Sequence, residues 1–322
     1  MAELQFVSPA DGTAFDIAAG TAASGPQMPV IQAEVRFTGL DPDPTATATF
    51  QWVVSIEFQC SDCRNGRARE INDQFGFTTI GGKATINFPR VRGGQLTIAV
   101  SANLPAQSFS TQTSELHLRG VNPPLDEIST ACGNDIVQKM VMHESGSRQF
   151  NAPRDGGVSE CPLFSGDRMG GVGLFQITNP PPAPEDHWDW RANINHGLQI
   201  LAQKRTSAAN YPARVRNSLA FQSLVQRFNA SRTAPAEIVL PDFVQEQLDL
   251  DSVRGYNGWA GHDVFGNVLH EFRVPLDDSG NLVVNVGPDN RGVIEWEQVP
   301  GADRPQNSGD PNYVANVLAQ QP

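Results

Sequence analysis

The sequence predicts two domains of different class: an N-terminal all-β sandwich over residues 1–119 and a C-terminal, mainly α domain over 125–322 with a β insertion. Three patterns carry this reading. Apolar and polar residues alternate through the first third of the chain. After a short Gly/Pro stretch the apolar spacing changes to three and four. Between 262 and 300 it returns to two. A length of 322 residues accommodates two cores of ordinary size.

The strands come first. Ile31, Ala33, Val35 and Phe37 face one way, and Gln32, Glu34 and Arg36 the other. Phe50, Trp52, Val54, Ile56 and Phe58 repeat the pattern, and shorter alternations follow at Ala84-Ile86-Phe88, Leu96-Ile98-Val100 and Leu116-Leu118. Such half-buried strands, separated by Gly, Pro, Asp and Thr turns, predict an immunoglobulin-like sandwich.

GVNPP at 120–124 reads as a linker, because a glycine and two prolines stop the last strand. Asp126 or Ser129 can cap a helix whose apolar residues Ile136, Val137, Met140 and Val141 share a face. Further helices are expected near 191–206, 213–229, 241–250 and 311–320, the last with Pro311 in its first turn. HEFRVPL, NLVVNVG and VIEWEQV alternate across DDSGN and PDNRG turns. They predict a β-hairpin or three-stranded insertion at 262–300, either a groove wall or a solvent-exposed elaboration.

Composition narrows the function classes. The net charge is −12, and residues after 124 hold 15 basic against 24 acidic side chains. This balance argues against binding nucleic-acid phosphates. No apolar run reaches the ~20 residues of a membrane span. The start, MAELQFVSPADG, lacks the basic and apolar regions of a Sec signal peptide. Export, if any, is expected by another route or with the signal already removed.

Cys60, Cys63, Cys132 and Cys161 allow three disulfide pairings in an oxidising compartment. Proximity in the chain favours Cys60–Cys63 with Cys132–Cys161; the alternative is four reduced thiols in a cytosolic protein. Cys60-x-x-Cys63 lacks a second nearby pair, so no zinc site is expected.

Five short pieces carry the chemistry: HESGSRQF at 143–150, GLFQIT at 173–178, NINHGLQIL at 193–201, RGYNGW at 254–259 and DPNYVANVL at 310–318. Glu144 ends an amphipathic helix. There the negative end of the helix dipole and apolar neighbours disfavour a carboxylate, as suits a general acid. In this order the pieces resemble the catalytic domain of lytic transglycosylases and goose-type lysozymes, over about residues 125–322. The resemblance implies a mainly α, lysozyme-like domain that cuts peptidoglycan between N-acetylmuramic acid and N-acetylglucosamine, without metal or organic cofactor.

By the same resemblance Glu144 is the catalytic acid. Ser145, Gly173, Phe175, Gln176, Tyr256, Asn257 and Tyr313 line the substrate groove, with Phe175 where the family usually has Met. Goose-type lysozymes, which hydrolyse, use an aspartate to orient the water. Asp167, six residues before Gly173, resembles the first of two goose-type aspartates, and Thr178 stands where the second is expected. Asp155 has less positional support. Lytic transglycosylases need no second carboxylate, since the sugar's own 6-hydroxyl closes a 1,6-anhydro ring.

The leading reading is a muramidase acting in the periplasm or on the cell wall. Its partners are glycan strands, with an immunity protein or a secretion or tail machine if it is a delivered effector or a phage-type lysin. The alternatives are a lytic transglycosylase, a non-catalytic wall-binding or tail-structure protein, and an adhesin built on the sandwich.

Overall fold

The structure, a computed structural model, describes residues 2–60, 69–166, 170–258, 270–304 and 309–321. Its strands and helices are, in chain order, β1 (Glu3–Ser8), β2 (Ala14–Thr21), β3 (Gly25–Gln27), β4 (Ile31–Thr38), β5 (Thr49–Cys60), β6 (Arg69–Ile80), β7 (Lys83–Ile86), β8 (Gly94–Leu104), β9 (Gln107–Gln112), β10 (Leu116–Val121), α1 (Leu125–Cys132), α2 (Asp135–Ser145), β11 (Val158–Ser159), α3 (Pro184–Trp188), α4 (Trp190–Arg216), α5 (Leu219–Ala230), β12 (Glu237–Val239), α6 (Gln245–Asn257), β13 (Phe272–Arg273), β14 (Arg291–Val293), β15 (Glu297–Gln298) and α7 (Tyr313–Leu318). The chain divides into two compact units, Met1–His196 and Gly197–Pro322.

In the first unit the alternating residues do what period two requires. β1, β4 and β7 form a three-stranded antiparallel sheet. The larger sheet runs β3-β2-β10-β8-β5-β6, with β9 added to β8 and β11 to β10. Val35, Phe37, Phe50, Trp52, Val54, Ile56, Ile98 and Val100 point from both sheets into one buried cluster. A second cluster, Ile17, Phe58, Phe150 and Trp188, joins the larger sheet to the segment after α2. Gly93 makes that join: a side chain there would meet the Trp188 ring at 2.1 Å.

An immunoglobulin-like sandwich followed by a mainly α, lysozyme-like domain is not what forms. Strands hold 32% of the residues and helices 29%. The larger sheet is mixed, because β2 runs parallel to β10, with Ala14 opposite His117 and Ile17 opposite Gly120, and it curls into a half-barrel. Beyond residue 124 the helices are interrupted. The stretch 146–183 is rich in Gly, Pro and Ser, and its described residues form only β11, turns and isolated bridges.

In the second unit, α5, α6, the end of α4 and the 272–296 segment share one cluster around Tyr211, Phe243, Ile294 and Trp296. The predicted hairpin insertion is replaced by shorter pairings. β13 pairs β15 antiparallel, and β14 pairs β12 in parallel, a strand outside the predicted insertion. NLVVNVG forms only isolated bridges, Leu276 to Leu282 and Val286 to Gly292. Residues 262–269 of the prediction lie outside the described residues.

Among the described residues no disulfide forms, so the expected Cys132–Cys161 bond is absent. Each thiol is held in its own packing. Cys132 is buried at the end of α1, where Gly133 turns left-handed, and burial pushes its pKa up to about 12. Cys161 packs against the Phe58–Trp188 cluster, and burial raises its thiol pKa too. Cys63, and hence the Cys60–Cys63 pair, lies outside the described residues.

Candidate active site

The site is built from the C-terminal end of α2. Asn134 caps its start, its Oδ1 accepting the Val137 N–H at 3.0 Å. Val137, Met140, Val141 and Met142 bury the helix's apolar face. Gly146, at φ +63°, ends it, and its N–H donates to Met142 O at 2.9 Å. Glu144 lies half-buried in this last turn. Ser145 is only 5% exposed. Its Oγ donates to Val141 O at 3.0 Å and accepts the Arg148 N–H at 3.3 Å, so it fastens the helix end.

Gln149, five residues past Glu144, is fully buried and joins the helix end to the GLFQI turn. Its Nε2 donates to the carbonyls of Asp186 and His187, and its Oε1 accepts the Leu174 N–H at 3.3 Å. Asn193 performs the same service from α4. Its Oδ1 accepts the Phe175 N–H at 2.9 Å, and its Nδ2 donates to Val172 O at 2.9 Å and Asp186 O at 3.1 Å. Bridges from Phe150 to Pro162, Phe164 to Val172 and Val172 to Ile177 complete the frame.

Within this unit the fold thus assembles the HES helix end and the 173–176 turn around two buried amides. Gly173, at φ +69°, has no room for a side chain: a Cβ would lie 2.5 Å from Gln149 Oε1. Phe175 is fully buried, so it presents packing rather than a groove surface. Gln176 is half-buried at φ +49°, and its Nε2 donates back to Gly173 O at 2.7 Å. Asp155 is exposed on a turn. Asp167 lies outside the described residues.

The second unit carries the remaining predicted positions. Tyr256 and Asn257 are half-buried at the end of α6, and Asn257 Oδ1 accepts the Asp310 N–H at 2.7 Å. Tyr313 is 1% exposed on α7. A buried ionic cluster here had no signal in the spacing. Asp251 accepts the Glu271 N–H at 2.6 Å and pairs with His270 Nδ1 at 3.0 Å, and Arg304 pairs with Glu271 at 2.9 Å.

Gln149 and Asn193 were equally silent as clamps, although both lie inside the quoted pieces. A bond to a distant backbone leaves no local periodicity. Among the described residues no group of three or more His, Cys, Asp or Glu side chains is placed to hold a metal ion. Nor is any described helix long and apolar enough to cross a membrane. No family model matches the chain, and no curated protein matches it in sequence at a significant level.

Proposed function

We propose that the protein cleaves the glycan strands of peptidoglycan, with Glu144 as the general acid. The observation that carries this reading is the pinning of the Glu144 helix end, through Gln149, to the 173–176 turn. A catalytic carboxyl has to be held on a rigid element beside a shaped surface, and two buried amides supply that rigidity. Glu144 donates its proton to the glycosidic oxygen as the bond to the muramic C1 breaks. The acceptor at C1 is water in the muramidase form of the reaction and the sugar's own 6-hydroxyl in the transglycosylase form; as its oxygen bonds to C1 it gives up a proton, which returns the Glu144 carboxylate to its acid form.

The test is digestion of insoluble peptidoglycan by the wild type and by Glu144→Gln, with mass spectrometry of the released fragments. Glu144→Gln is expected to lose roughly 100-fold or more of the activity at nearly unchanged stability. Retention of activity removes Glu144 from the role. Reducing ends identify hydrolysis, and anhydro ends identify the transglycosylase. Binding of peptidoglycan without cleavage by the wild type would favour a wall-binding protein.

A further inference from the structure

Two arginines converge on the helix end that carries Glu144, and neither has a carboxylate partner among the described residues. A Cβ built on Gly146 would lie 3.7 Å from Arg154 Nη2 and 3.9 Å from Arg148 Nε, so both guanidinium groups reach within 4 Å of one point. Arg148 Nε donates to the Ser145 carbonyl at 3.3 Å. Arg154 Nη2 donates to Met142 Sδ at 3.1 Å, and a thioether is a weak acceptor.

Each guanidinium carries five N–H donors, so both keep most of their hydrogen-bonding capacity. Other arginines of the same unit are neutralised: Arg92 by Asp73 and Glu185, and Arg119 by Asp16. In a chain of net charge −12 carboxylates are plentiful, yet none among the described residues is used here. Two like charges held this close repel each other unless an anion lies between them. Arginine pairs are suited to a carboxylate, which each can grip through parallel N–H bonds. Gly146 has no side chain to cover the spot. Arg148 is half-buried and Arg154 exposed, so a ligand can reach both.

We infer that Arg148 and Arg154 form a carboxylate-binding subsite that reads the acidic substituent of the muramic residue or its peptide. The identity of the anion rests on the reading of Glu144 given above; the subsite itself rests on the arginine geometry. It gives an acidic protein a local means of holding an acidic polymer. It also separates peptidoglycan from chitin, which presents the same N-acetylated sugar without the carboxylate.

The experiment is an NMR titration of the full chain, following the side-chain Nε–H signals of Arg148 and Arg154. N-acetylmuramic acid and N-acetylglucosamine are the two probes. The muramic acid is expected to shift both signals saturably, and N-acetylglucosamine to leave them in place. Arg154→Gln should weaken muramic acid binding by about tenfold or more. Arg148→Lys keeps the charge and separates a charge effect from loss of the fold. Unmoved arginine signals with muramic acid, or equal shifts with both sugars, overturn the inference. Saturable, acid-specific shifts in a protein that cleaves no glycan would retain the subsite and remove the enzymatic reading.

Discussion

The backbone N–H of Phe175 donates to the side-chain oxygen of Asn193 at 2.9 Å, across 18 residues of chain. Both residues are fully buried. The bond fixes the turn after Gly173 to the first turns of α4, while Gln149 fixes the same turn to the end of α2. The turn is therefore held from two sides by amide groups that water does not reach.

Asn193→Ala should accordingly destabilise the protein. It strips the Phe175 N–H and the carbonyls of Val172 and Asp186 of a buried partner. A buried donor left without an acceptor costs about 1–3 kcal/mol, and the vacated space adds to that. Urea denaturation should show a loss in this range or above it. An unchanged midpoint together with weakened glycan binding would instead make Asn193 a substrate contact.

Cys132 sets an alkaline limit on stability. Burial raises its thiol from an ordinary value of 9.0 to about 12. Its folded-state pKa therefore lies above the unfolded one. The stabilisation is fully present below about pH 9 and is lost as pH rises towards 12. Wild type should lose more stability than Cys132→Ala across that window, as measured by denaturation at stepped pH. At pH 8 iodoacetamide should label Cys132 only after unfolding, since the thiolate is the nucleophile. Rapid labelling of the folded protein would contradict the burial.

Asp251→Ala tests the ionic cluster of the second unit. Asp251 is 3% exposed and serves both the Glu271 N–H and His270 Nδ1. The His270 ring in turn stacks on Tyr211 at 3.6 Å. Removing the carboxylate leaves the buried Glu271 N–H and the His270 ring without that partner, at about 1–3 kcal/mol for each group. The loss should appear as earlier unfolding of the unit that contains Trp296, read by its fluorescence. A change under about 1 kcal/mol would mean that the pair is solvated in solution.

Local chemistry was legible in the sequence, and distant pairing was not. The alternation at 31–37 and 50–58 became β4 and β5, and the Ile136–Val141 spacing became α2. The helices expected near 191–206, 213–229, 241–250 and 311–320 correspond to α4 through α7, with shifted ends. The parallel pairing of β2 with β10 could not be read, because it joins residues 103 apart and leaves no periodic trace. NLVVNVG shows the opposite failure. Its alternation is clear, but its neighbours offer it only isolated bridges. At the site, GLFQI was visible as a motif, whereas its dependence on Gln149 and Asn193 was not. Phe175, read as a groove residue, proved fully buried because its turn folds inward onto those amides.

The partnership of β2 with β10 also imposes an order on synthesis. A ribosome adds about 5–20 residues per second, so β2 waits on the order of 5–20 seconds before its partner is made. The Trp190 indole, which donates to the Ala19 carbonyl at 2.7 Å, arrives later still. β3 follows β2 at once and pairs with one of its edges, whereas the other edge lacks a partner until β10 is made and stays open to any extended segment nearby. A sheet whose early strand is completed by a late one is therefore closed only after the chain has passed residue 116.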